Sequence, residues 1–97
     1  MSFFDIFKSN ARIAYETAVA SGRSRVDALR AEHATRELGL DADGARAIGR
    51  TGDKFHAYGV QRARDELKLN SIGTLAYDLS GGDKFVAYDA QRKAELY

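Results

Sequence analysis

One eleven-residue stretch of this chain occurs twice. Gly52-Asp53-Lys54-Phe55-His56-Ala57-Tyr58-Gly59-Val60-Gln61-Arg62 recurs 30 residues later as Gly82-Asp83-Lys84-Phe85-Val86-Ala87-Tyr88-Asp89-Ala90-Gln91-Arg92, with eight of the eleven positions identical. Identity at that level points to a duplicated supersecondary unit or to convergence on one structural job. The C-terminal half is therefore expected to be two like units in series. Gly22 precedes a further turn-plus-helix signal at the same spacing, but its flanking residues do not match.

With 97 residues, the chain has room for one domain and one modest core. The expected division of this single domain, 1–97, is a helical hairpin over 1–39, a first repeat unit over 40–67 and a second over 68–97. Cysteine is absent, so disulfides and zinc–thiolate sites are excluded. Proline is absent too, which leaves glycine to punctuate the elements. Fifteen Lys and Arg face fourteen Asp and Glu. A balance that close excludes both a strongly basic nucleic-acid coat and an acidic nucleic-acid mimic.

Helical spacing of Phe7, Ala11, Ala14 and Ala18, with Ser2 and Asp5 in a capping-box-like arrangement, predicts a helix over about 3–20. A second is predicted from Ser24 to Leu38, closed by Gly39. Its stripes are Val26, Leu29 and His33 on one side and Ala31, Ala34 and Leu38 on the other. Asp53 and Asp83 each follow a glycine and suit the N-cap of a helix of about 14 residues. The competing reading pairs 74–79 with 84–88 as a β-hairpin about Ser80-Gly81-Gly82-Asp83. The expected fold is thus all-α, a small bundle of about four helices with a duplicated C-terminal half. The alternative is α+β with two hairpin–helix units.

Candidate chemistry is sparse. The two histidines have no triad-like neighbours; His33 reads as a partly buried, hydrogen-bonded side chain, and His56 stands where the second copy has Val86. A His33/Glu37 pair supplies two ligands, too few for a metal site. Asp41-Ala42-Asp43-Gly44 resembles the start of a calcium loop, but Ala45 and Gly52 fall where further ligands are required. No phosphate-cradling glycine motif occurs. The expectation is a protein that is not an enzyme, with no catalytic residue, no cofactor, no metal and no small-molecule substrate.

On a helix, Phe55, Tyr58 and Arg62 share a face, as do Phe85, Tyr88 and Arg92. Tyr and Arg are favoured at interface hot spots, so Tyr58, Arg62, Tyr88 and Arg92 are the candidate protein-binding residues, while Phe55 and Phe85 read as core. The partner would be another protein or a second copy of the chain. The class this suits is the small accessory protein, phage- or plasmid-type modulators of a host complex included. The alternative is a helix-turn-helix DNA-binding regulator: Leu38-Gly39-Leu40 with Ala45 and Ile48 has the required spacing, and a reading helix from Ala42 would offer Arg46 and Arg50. Nucleic acid ranks below protein as a partner, because Gly44 and Gly49 would weaken that helix and Asp41 and Asp43 would face phosphates.

At the N-terminus, Phe3, Phe4, Ile6 and Phe7 form an apolar patch interrupted by Asp5 and Lys8. It is too short and too broken for a signal peptide or a membrane span. Docking into the chain's own core or against a second subunit is expected, with a cytoplasmic location and no membrane partner.

Overall fold

A computed structural model describes residues 9–96 of the chain. Among them lie six α-helices and no strand: α1 (Asn10–Ala20), α2 (Arg25–Leu38), α3 (Ala42–Thr51), α4 (Lys54–Leu67), α5 (Ser71–Leu79) and α6 (Lys84–Leu96). They pair in chain order as hairpins α1–α2, α3–α4 and α5–α6, laid side by side. The first hairpin meets the second where α1 and α2 both pack on α3, and the second meets the third chiefly where α4 packs on α5. No helix among these is long and apolar enough to cross a membrane.

The helix ends follow from local chemistry. Ser24 accepts from the Asp27 amide and opens α2; Asp53 accepts from Phe55 and His56 and opens α4; Asp83 accepts from Phe85 and Val86 and opens α6. Each oxygen satisfies an amide that the first helical turn leaves without an internal partner. At the other end, α2 closes on Gly39 at φ 65° and α4 on Lys68 at φ 54°. The second is unusual, because only glycine enters that left-handed region without steric penalty.

The core is built from small residues. Ala14, Ala18, Ala28, Ala45, Ala47 and Ala57 are fully buried, and Ile48 and Val60 fill what remains. Between α1 and α3 the backbones themselves approach. A Cβ on Gly49 would lie 2.5 Å from the carbonyl oxygen of Ala14 and 2.9 Å from the Thr17 Cβ. Gly44 in α3 and Gly73 in α5 are likewise filled against Gln61 and Gln91.

That close spacing corrects several expectations. Two helices stand beyond the expected four: α3, which begins at Ala42 where the helix-turn-helix alternative has its reading helix begin, and α5; their glycines count against a helix on propensity but sit in close contacts. The strand reading fails, since 74–79 and 84–88 are helical. A continuous helix from residue 3 fails as well: Ser9 is extended, with ψ 151°, and caps α1 by accepting from Arg12. The Ser2–Asp5 cap and the Phe3, Phe4, Ile6, Phe7 patch lie outside the described residues.

The expectation that Phe55 and Phe85 belong to the core is overturned: they are 76% and 71% exposed. On both helices the inward position is taken by a fully buried alanine, Ala57 or Ala87, and the ring two residues earlier turns outward. His33 is exposed rather than partly buried, with Nε2 3.0 Å from Glu37. Val26 and Leu29 on the same stripe are exposed too.

Candidate protein-interaction surface

The caps Ser24, Asp53 and Asp83 set α2, α4 and α6 in one register. Four residues after each cap stands an alanine with no exposed surface: Ala28, Ala57 and Ala87. Eight residues after Asp53 and Asp83 stand Gln61 and Gln91. Gln61 Oε1 accepts from the Asp41 amide at 2.9 Å, and Gln91 Oε1 accepts from the Asn70 amide at 2.8 Å. Asp41 and Asn70 are the N-caps of α3 and α5. Each glutamine therefore ties the start of one helix to the middle of the next while resting on its glycine.

The outward positions of the same register are two, five and nine residues after the cap. On α4 these are Phe55, Tyr58 and Arg62, and on α6 Phe85, Tyr88 and Arg92; all six are exposed. On α2 they are Val26, Leu29 and His33, exposed as well. Each exposed phenylalanine carries a lysine over its ring, Lys54 at 5.5 Å from the Phe55 centroid and Lys84 at 5.4 Å from that of Phe85. Such a cation–π pair at the surface stabilises by only about 0.5–1 kcal/mol. That is less than the roughly 1.5–3 kcal/mol that burying the ring would give.

Arg62 donates to Glu66 at 2.9 Å. The hydrogen bond and the charge of Glu66 raise the guanidinium's pKa. The pair is 80% and 61% exposed, and ion pairs in solvent contribute little to stability. Arg62 is thus exposed, with Glu66 on its own helix as its ion-pair partner.

Two grooves flank the phenylalanines. One, of about 560 Å³, runs between Ala31 and Ala34 of α2 and Gly52, the cap Asp53 and the first two residues of α4, Lys54 and Phe55. The other, of about 490 Å³, runs between Ala63 and Leu67 of α4 and Gly82, Asp83, Lys84 and Phe85. Ile48 lines the first where Tyr77 lines the second.

The two arginines of the DNA-reading alternative are both engaged. Arg46 pairs with Asp43, three residues before it. Arg50 Nη2 lies 2.7 Å from Oδ1 of Asp78. The acidic residues at the start of α3 are engaged as well: Arg64 donates to Asp41 at 2.6 Å and to Asp43 at 2.9 Å. Hydrogen bonds from Asp65, then Asp43 and Asp41, push the Arg64 guanidinium well above its ordinary value. Asp41, read in sequence as a loop ligand that fails, caps α3 through the Asp43 and Gly44 amides.

Sequence reasoning missed a cluster on Asp78. This carboxylate is 5% exposed and receives Arg50, while His56 Nε2 lies 2.6 Å from the same oxygen. The three residues come from α5, α3 and α4, and no local pattern announces them. The difference between His56 and Val86 in the two like stretches of sequence was the available signal. Among the described residues no group of three or more His, Cys, Asp or Glu could hold a metal.

Comparison with known proteins found no match: no family model, no curated protein and no solved structure is detectably similar to this chain.

Proposed function

We propose that this chain is a protein–protein interaction module, that hairpins α3–α4 and α5–α6 are copies of one unit, and that the outward face of α4 and α6 is its contact surface. One observation carries the reading. Of the eight residues shared by the two copies, Gly, Asp, Ala and Gln have structural work in both: turn, cap, core and inter-helix hydrogen bond. Lys, Phe, Tyr and Arg are exposed in both. Packing does not account for keeping two bare phenylalanines and two half-exposed tyrosines in matching places. Binding does, because large rigid aromatics flanked by cations supply contact area and oriented hydrogen bonds with little loss of side-chain freedom.

The partner suited to this face offers apolar clefts for Phe55 and Phe85, with carboxylates beside them for Lys54, Arg62 and their counterparts. The experiment is affinity capture with the intact chain, followed by titration of the purified captured protein against F55S/F85S and Y58A/Y88A. Binding weakened at least 10-fold in both variants supports the reading. A partner that binds all three proteins equally defeats it.

The DNA-binding alternative rests on Arg46 and Arg50, which would have to leave Asp43 and Asp78 to reach a duplex. A salt-dependent gel shift abolished by R46A/R50A is the result that would favour it.

A further inference from the structure

Helix α5 links the two aromatic stripes, and it is pinned at both ends. Its start is tied to α4 by the chain itself: the Leu69 amide donates to the Arg64 carbonyl, and the Leu69 side chain is buried. Its far end, about 12 Å away at roughly 1.5 Å per residue, is tied by Asp78. There Arg50 Nη2 donates to Oδ1 at 2.7 Å, and His56 Nε2 lies 2.6 Å from the same oxygen. Arg50 belongs to α3 and His56 to α4, so one carboxylate joins the third hairpin to both helices of the second.

The preceding junction is made differently. Gly49 and Asp78 stand at one place in the register, eight residues beyond the caps Asp41 and Asn70. The carbonyl of each accepts from an arginine at 2.7 Å, Gly49 from Arg23 and Asp78 from Arg50. At Gly49, however, the backbone of α1 lies directly against α3, and one apolar cluster that includes Ala14, Ala31, Ile48 and Val60 spans the first two hairpins. Of the apolar side chains of the third hairpin, among the described residues, Tyr77 alone packs against that cluster. Helix α6, which carries Phe85, Tyr88 and Arg92, takes its place from α5, the helix it packs on. Its position beside α4 therefore depends on the angle of α5. Apolar contact between α4 and α5 is non-directional and sets that angle weakly. Hydrogen bonds have preferred directions, and here they act at the far end of the lever.

We propose that Asp78 is a positioning residue for the contact surface: clasped by Arg50 and His56, it fixes the angle of α5 and so holds the Phe85/Tyr88/Arg92 stripe in one placement beside Phe55/Tyr58/Arg62. This rests on the reading of the two stripes as one surface. A partner that engages both stripes loses less freedom on binding when they are already fixed relative to each other.

The chain has no cysteine, so paired nitroxide labels report the placement directly. Glu37→Cys with Lys93→Cys spans both junctions, and Glu37→Cys with Glu66→Cys spans the first alone; all three side chains are exposed. By electron paramagnetic resonance, each labelled pair is expected to give one narrow distance. Asp78→Ala should lose the single distance of the first pair and keep that of the second, with unchanged helical circular dichroism. His56→Val, a milder change, should broaden the first pair less. Asp78→Asn, whose side-chain oxygen can still accept from Arg50, should restore most of the narrow distribution. Titrated against the purified captured partner, Asp78→Ala should bind roughly 10-fold more weakly although the six contact side chains are intact, as for a competent placement populated about a tenth of the time. A first pair as narrow in Asp78→Ala as in its parent, or broadening that appears only together with loss of helix, overturns the proposal. Parent-like binding by F55S/F85S would defeat the surface reading and this proposal with it; parent-like binding by Asp78→Ala beside a weakened F55S/F85S would defeat this proposal alone.

Discussion

Nη2 of Arg50 donates to both the carboxylate and the backbone carbonyl of Asp78, each at 2.7 Å. One side chain thereby satisfies the last turn of α5 and anchors it to α3, while Arg50 Nε is buried without a partner. Asp78→Ala removes the compensating charge and leaves a partly buried guanidinium and His56 facing an apolar gap. The expected loss is about 2–3 kcal/mol, below the range for fully buried pairs because Arg50 is 31% exposed. Urea denaturation measures it. Asp78→Ala in an Arg50→Met background should lose clearly less, and an equal loss would mean the pair is not coupled.

Two helical glycines should respond with opposite sign to the same substitution. Gly49→Ala places a methyl 2.5 Å from the Ala14 carbonyl oxygen, so α1 and α3 must separate, at about 1–3 kcal/mol. Gly59, in the interior of α4, has nothing within 4 Å of an added Cβ. Gly59→Ala should stabilise by about 0.5–1 kcal/mol through helix propensity alone. Thermal melts of the two variants on either side of wild type are the expected result.

Lys68 holds a left-handed conformation at φ 54°, where Gly39 closes α2 at φ 65°. Lys68→Gly should therefore stabilise the chain by roughly 1 kcal/mol. A rise in midpoint of several degrees by calorimetry would agree with that. An unchanged or lower midpoint would show that the lysine side chain contributes more than its backbone strain costs.

If Phe55 and Phe85 serve binding rather than folding, F55S/F85S should change stability by less than about 0.5 kcal/mol per site. Core phenylalanines would lose about 3–5 kcal/mol each on truncation. Chemical denaturation of the double variant separates the two cases, independently of whether any partner is in hand.

Much of the fold was legible where the chemistry is local. Ser24, Asp53 and Asp83 mark helix starts through hydrogen bonds that reach two or three residues, and Gly39 marks an end through its left-handed φ, so their roles could be read along the chain. Helix α3 was legible only within the helix-turn-helix alternative, from Ala42, and α5 was not legible at all. Their glycines lower propensity, and the contacts that offset it come from Ala14, Gln61 and Gln91, remote in sequence. The phenylalanines were misread because apolar periodicity shows that a helix has apolar stripes but not which stripe turns inward, and here Ala57 and Ala87 do. Asp78 was invisible because its partners lie 22 and 28 residues away.

Arg23, in the turn between α1 and α2, reaches across to the carbonyls of Ile48 and Gly49 at the end of α3. The first hairpin thus adds hydrogen bonds to a helix end that the Gly52 amide, donating to Ile48, also closes from within. The third has Gly82 in the corresponding turn and returns no such contact to its neighbour. Cohesion is therefore graded along the molecule: the two leading hairpins are laced into one body, and the last is held to them chiefly by α4 against α5 and by Arg50 and His56 on Asp78.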